Sequence, residues 1–146
     1  PVATSLAYAN GIALGPDGAT LAVAATRERA VRIYDLAHLL ADETDALRRT
    51  VTVSGGPDNL TWTADGGLVV AVHPSLWDTG LARHRWFGAR RAASKAVAVN
   101  PDTGLTRTLF HNPSGKLLNA GTTAAVIDDN LIVSAVLDVA LVVCRP

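Results

Sequence analysis

Residues 8–25 read YANGIALGPDGATLAVAA, and residues 57–73 read PDNLTWTADGGLVVAVH. Each stretch contains an asparagine, a short apolar run, an Asp-Gly turn and a second apolar run, which is typical of two antiparallel strands joined by a hairpin. Asn10 and Asn59 are 49 positions apart, and the two Asp-Gly turns are 48 apart. A repeat of this length predicts the four-stranded blades of a β-propeller.

Apolar runs separated by turn residues predict eleven strands along the chain. The predicted strands are 11–14, 20–25, 29–35, 50–54, 60–63, 67–72, 95–99, 104–110, 122–127, 131–136 and 139–143. They fall into groups of four, four and three. We therefore predict an all-β chain with about three four-stranded blades of a six-bladed propeller, the last blade lacking its outermost strand. The blades cover roughly residues 8–55, 56–112 and 113–146 of one domain, residues 1–146.

The missing outermost strand of the last blade suggests that this chain is one part of a closed ring of blades. Three blades cannot close a ring, and they leave open faces and an unpaired edge. Closed propellers often take the last strand from the N-terminus of the same chain, and this sequence begins at Pro1 without a methionine. We therefore expect the C-terminal half of a propeller, which needs an N-terminal half or self-association to cover its edges.

Two segments interrupt the β pattern. Residues 35–49 could form a short helical excursion capped by Asp35, with Arg48 and Arg49 near its C-terminal end. Residues 74–94 hold two of the three tryptophans and a cluster of arginines. Insertions of about 20 residues in a compact domain are often functional.

Composition excludes several classes of partner. The 146 residues are 49% apolar and 18% charged, as in an ordinary globular domain. Thirteen basic residues balance thirteen acidic ones, which argues against binding to nucleic acid or to a charged membrane surface. No apolar run reaches the roughly 18 residues of a transmembrane segment. The single cysteine, Cys144, cannot form an internal disulfide, and we expect it to be buried on the last strand.

The repeat also aligns side chains that carry oxygen. Equivalent points of successive inner strands converge on the central channel of a propeller, so Asn10, Asp58 and Asn59 should direct oxygen atoms at one spot. Carboxylate and amide oxygens suit a hard cation such as calcium. The alternative interpretation is that the two asparagines are only turn residues.

Strand direction places a candidate pocket beside these oxygens. Asn10 and Asn59 precede their inner strands, so the second strand of each blade returns to the same face. His73 ends the second strand of the second blade, and residues 74–94 follow it. His73 could contact substrate or be a structural residue at a strand end. Trp77, with Trp86 and Phe87, could line an apolar pocket or simply pack the segment down.

At these residues the chain resembles the arylesterase/paraoxonase family and, more loosely, the gluconolactonase and regucalcin-like propellers. The matching stretches occur in order through nearly the whole chain, at 8–18, 31–36, 56–62, 72–74 and 121–144. The Ala-Asn-Gly-Ile and Pro-Asp-Asn-Leu motifs are specific only in combination.

The resemblance implies a six-bladed propeller that holds calcium in its central tunnel and hydrolyses lactones and aryl esters. It implies that Asn10, Asp58 and Asn59 are calcium ligands. It also implies that His73 lies on the pocket wall, as a catalytic candidate, and that Tyr8 is an aromatic residue beside the first ligand.

The chain departs from the family pattern in two respects. Residues 134–138 read Ser-Ala-Val-Leu-Asp where the family more usually has a Gly-Ser/Thr-Val-Phe type of run, so Val136 would belong to an altered pocket wall. The remaining calcium ligands and the histidines proposed to activate water belong to the family's N-terminal half. The general base is expected there, and this chain alone is expected to be inactive.

Two other functions also fit the sequence. One is a sugar-lactone hydrolase of the gluconolactonase type, whose polar substrate would need a less aromatic pocket. The other is a non-catalytic propeller that serves as a binding module and holds a structural cation. A central histidine and further ligands in the whole protein would distinguish a hydrolase from such a module.

Overall fold

A computed structural model describes residues 3–41, 43, 45–86, 88 and 90–146, and this part of the chain contains eleven strands and two short helices. The strands are β1 Ala9–Leu14, β2 Thr20–Ala25, β3 Ala30–Asp35, β4 Leu47–Thr52, β5 Gly56–Trp62, β6 Leu68–His73, β7 Ser94–Val99, β8 Thr106–Asn112, β9 Gly121–Ile127, β10 Asn130–Ala135 and β11 Leu141–Cys144. The helices are α1 Leu36–Leu40 and α2 Leu76–Arg83.

The strands form three antiparallel sheets that follow one another in chain order. Strands β1 to β4 form blade 1, β5 to β8 form blade 2, and β9 to β11 form blade 3. In each sheet, strands that are neighbours in sequence are also neighbours in space. The prediction of an all-β partial propeller with strands grouped four, four and three is confirmed.

The hydrophobic core lies between the blades. Leu68, Val70 and Val72 of β6 belong to the cluster between blades 1 and 2, while Val69 and Ala71 belong to the cluster between blades 2 and 3. All five are at most 1% exposed. Because side chains alternate along a strand, a strand covered on both faces has an uninterrupted apolar sequence. Blade 2 is therefore the packed centre of the molecule.

The two Asp-Gly turns lie at the ends of the blades away from Asn10 and Asp58. Asp17 accepts hydrogen bonds from the Thr20 hydroxyl at 2.6 Å and from the backbone amides of Ala19 and Thr20 at 2.9 Å. These bonds lower the pKa of Asp17 to about 2, with the Thr20 hydroxyl as the largest cause. The carboxylate thus organises the turn.

The helices lie in the two segments that interrupt the strand pattern. Asp35 caps α1 by accepting hydrogen bonds from the backbone amides of Ala37 and His38, as predicted. The helical excursion predicted over residues 35–49 is too long, however. The helix ends at Leu40, and both arginines lie in β4, where strand pairing with β3 determines the backbone.

The segment at 74–94 contains α2, which begins after Ser75, whose hydroxyl accepts from the Asp78 amide at 3.1 Å. Leu81 and Ala82 are the buried residues on the inner side of this helix. No helix in the described ranges is long and apolar enough to cross a membrane. Cys144 lies on the last strand as expected, but it is only half-buried, against the cluster between blades 2 and 3.

Candidate cation site

Each inner strand carries a β-bulge at the same point near its start. The register with the second strand slips by one residue at Asn10–Gly11 in β1, at Asp58–Asn59 in β5 and at Thr122 in β9. A bulge places an extra residue opposite the partner strand and redirects its side chain. The three bulges therefore mark one recurring position at the centre of the propeller.

The register also corrects how the blades correspond. Asn10 and Asp58 each directly follow the last paired residue before the bulge, so they are the equivalent pair. The asparagine-to-asparagine match at 49 residues is wrong by one position. Asn59 corresponds to Gly11, and the true repeat is the 48-residue spacing that also relates the Asp-Gly turns.

Asn10, Asp58 and His73 form a continuous hydrogen-bonded chain. The Nδ2 atom of Asn10 donates to Oδ1 of Asp58 at 2.6 Å, and Nε2 of His73 lies 2.9 Å from Oδ2 of Asp58. Asp58 is 8% exposed and His73 is 6% exposed. Because an ionised carboxylate can only accept, the geometry assigns the hydrogen of this contact to Nε2. The sequence placed the three residues on one face but did not predict this contact.

The other nitrogen of the His73 ring is unpaired. Nδ1 is buried and has no hydrogen-bond partner among the residues that the structure describes. A buried polar atom without a hydrogen-bond partner costs about 1–3 kcal/mol of stability. The ring thus directs its one hydrogen bond to Asp58 and leaves its other nitrogen unsatisfied.

Asn59 connects blade 2 to blade 3. Its Nδ2 donates to the carbonyl of Thr122 at 3.0 Å and to the hydroxyl of Thr123 at 3.2 Å. Thr122 occupies the bulge of blade 3 but was not predicted as a site residue. Thr122 lacks the carboxylate or amide group by which Asp58 and Asn10 were recognised in the sequence. Its position at the bulge is evident only from the strand pairing.

Gly11 allows the inner strands of blades 1 and 2 to approach each other. A Cβ atom at this position would lie 2.5 Å from the carbonyl oxygen of Asp58 and 3.0 Å from Cα of Asn59. The Asn-Gly pair therefore serves a close contact between strands, and Asn10 and Asn59 lie in strands. Their interpretation as turn residues is wrong.

The three predicted pocket residues are exposed on the same face of the blades as the site. Tyr8 directly precedes β1, is 55% exposed and has the Arg27 guanidinium 5.8 Å from its ring centroid. Trp77 on α2 and Val136 after β10 are 71% and 56% exposed. Strand direction puts all three on the face of Asn10 and Asp58, without an enclosing wall.

Trp86 and the other histidines lie at the surface. Trp86 is exposed and stacks on His84 with ring centroids 5.3 Å apart. His38 and His111 are exposed as well, and Phe87 lies outside the described residues. A cavity of about 1020 Å³ lies at the opposite end of the blades, beside the turns that contain Asp65 and Asp102, and does not include the candidate site.

Comparison with solved structures identifies the architecture. No protein-family model matches this sequence, and no curated protein matches it significantly. A luciferin-regenerating enzyme is similar with a TM-score of 0.53 and 21% identity, over 93% of this chain and 40% of the other. The chain is part of a β-propeller. A periplasmic gluconolactonase from Pseudomonas aeruginosa is similar with a TM-score of 0.51 and 17% identity, over 86% of this chain and 33% of the other.

These comparisons support the broader half of the resemblance. The neighbours are enzymes with the gluconolactonase-like propeller fold, and at this identity the likeness establishes the fold. The chain spans less than half the length of either enzyme. Membership of the arylesterase/paraoxonase family and a position in the C-terminal half stay predictions.

Proposed function

We propose that this chain supplies part of the calcium site and pocket of a hydrolase that acts on lactones or aryl esters. The supporting observation is that Asn10 and Asp58 meet from equivalent bulges of neighbouring blades. Asp58 is almost fully buried while Asn10 is exposed, and a cation bound between them would stabilise the buried carboxylate.

The chemistry of these side chains fits a hard cation. The 2.6 Å contact shows that Asn10 and Asp58 reach the same point, and a half-turn of the Asn10 amide brings its oxygen there instead of its nitrogen. Asn59 contacts blade 3 through its amide nitrogen, which leaves its amide oxygen as the third proposed ligand atom. Calcium takes about six to eight oxygen ligands, so these three residues would form part of a shell.

In this arrangement Asp58 contributes the only negative charge of the three ligands, while Asn10 and Asn59 contribute neutral oxygens. A bound calcium would polarise the ester carbonyl and stabilise the negative charge that develops as water attacks. Tyr8 and Trp77, exposed on the same face, would contact the apolar part of the substrate.

A sugar-lactone hydrolase is the second candidate. Tyr8 and Trp77 are exposed and do not enclose an aromatic pocket, which favours a more polar substrate. Comparing an aryl ester, an aliphatic lactone and a sugar lactone as substrates of the protein separates the two candidates. Calcium binding without hydrolysis of any of the three would instead favour a binding module with a structural cation.

A thermal melt with calcium and with chelator tests the proposed site. A ligand that binds only the folded chain adds stability by mass action, about 2.7 kcal/mol at a hundred times its Kd. We expect calcium to raise the Tm of the wild-type chain and to leave the Tm of Asp58→Ala unchanged. Asp65→Ala, at the opposite end of the same blade, is the matched control and should keep the calcium response. An equal calcium response in Asp58→Ala would refute the assignment.

A further inference from the structure

Resting on the proposed cation site, we infer that His73 is a positioning residue for Asp58. His73 is the last residue of β6 and is paired with Gly56 at the start of β5, which brings its ring beside the bulge. Its Nε2–H reaches one carboxylate oxygen of Asp58 while Asn10 reaches the other. When the Asn10 amide turns its oxygen to the cation, as proposed above, the His73 contact still holds one oxygen of the Asp58 carboxylate and leaves the other, the one that Asn10 reaches, for the cation.

Burial separates this role from direct contact with substrate. His73 is 6% exposed, whereas Asn10 is open to solvent. The unpaired Nδ1 shows that the ring is not held by a second hydrogen bond in the described part of the chain. Carboxylate ligands of metals are commonly oriented by such outer hydrogen bonds, and removing one typically weakens metal binding about 10–100-fold.

Two substitutions at His73 distinguish positioning from mere packing. His73→Leu replaces the imidazole with an apolar group of similar size and so removes the donor, and we expect the calcium Kd measured by titration calorimetry to rise about 10–100-fold. His73→Gln restores an N–H donor and should bring the Kd back close to the wild-type value. Val70→Ala, in the core of the same strand, should lower the Tm and leave the Kd unchanged.

Histidine tautomers provide a readout that does not depend on calcium. Long-range ¹⁵N–¹H NMR of the wild-type chain should show His73 protonated at Nε2, with the signal assigned by its loss in His73→Gln. Protonation at Nδ1 alone would overturn the inference even if His73→Leu failed to fold.

The failure of each proposal has a different signature. A wild-type Kd in His73→Leu, together with loss of binding in Asp58→Ala, would remove the role of His73 and leave the cation site standing. Absence of calcium binding by the wild-type chain would remove the cation site itself, and with it the role given to His73.

Discussion

Asn10 and Gly11 are adjacent in sequence and contribute differently to the contact between strands β1 and β5. The asparagine supplies the polar atom that reaches Asp58, and the glycine supplies the space that lets the two inner strands come together. Neither function depends on a turn. A motif that ordinarily indicates a turn is here part of the meeting point of two blades.

The close approach at Gly11 makes a specific prediction for stability. In Gly11→Ala the new Cβ would meet backbone atoms of β5, which cannot rotate away, so we expect a loss of about 1–3 kcal/mol in urea unfolding. Gly80→Ala is the control, because nothing lies within 4 Å of its Cβ and the residue is in helix α2. It should stabilise the chain, by up to about 1 kcal/mol. Equal effects at the two glycines would contradict the packing argument.

The sequence alone identified the polar residues of the site but not which of them contact each other. Asn10, Asp58 and Asn59 stood out because amide and carboxylate groups recurred beside apolar runs. The one-residue slip of each bulge depends on which residues pair across strands, and no local pattern reports that. For the same reason the contact between His73 and Asp58 could not be predicted, since it joins the end of one strand to the start of another.

The hairpin turns show how an element can depend on one charge. The pKa of Asp17 is about 2 in the fold, below its ordinary value of 3.8, because the Thr20 hydroxyl and two backbone amides donate to the carboxylate. Hydrogen bonds from Thr63 and the Gly67 amide likewise lower the pKa of Asp65 in the equivalent turn. A carboxyl group whose pKa is lowered by folding stabilises the fold at pH values above its pKa in the unfolded chain. That stabilisation is lost as the pH falls through its pKa in the folded chain.

This shift predicts how acid affects the turn. At neutral pH, Asp17→Asn should lower the urea midpoint, because the variant lacks the charge that the turn stabilises. The gap between wild type and variant should persist down to about pH 4 and shrink as the pH approaches about 2. Urea midpoints measured across that interval check the prediction. A gap that stays constant with pH would mean that the charge of Asp17 contributes nothing.

The elements themselves were largely predictable. Apolar runs bounded by Asp-Gly turns identify the β5–β6 hairpin without any structure, because turn chemistry and alternation agree there. Helix α2 was missed as a helix because its short sequence combines Gly80 with exposed and buried apolar residues and lacks a clear helical period. Arg48 and Arg49 were misplaced because pairing with β3 outweighs local preference.

The described residues form a stack of three blades, with a core shared between neighbouring blades on each side of blade 2. Blade 3 ends in β11, the edge strand of its sheet, and its outer face exposes Ile127, Leu141 and Val143 by more than half. Their neighbours Val142 and Cys144 point instead into the core shared with blade 2. Blade 3 therefore buries one apolar face against blade 2 and leaves its other apolar face exposed.

We predict that this chain by itself associates through blade 3. In sedimentation velocity its weight-average mass should rise with concentration, since an open edge strand beside an apolar face favours pairing between copies. Val143→Lys should shift the population toward the monomer. Leu105→Lys removes a similarly exposed apolar residue from blade 2 and should change nothing. A chain that stays monomeric at all concentrations would contradict this prediction.

The recurring bulge has a consequence for how such a protein can change over time. Because each bulged residue has no residue directly opposite it on the next strand, the strand pairing of its blade does not determine its identity. Asn10, Asp58 and Thr122 already differ in charge and size while the strands around them keep the same pairing. A single substitution at one of these three positions is therefore expected to alter the chemistry of the channel without changing the strand pairing of its blade.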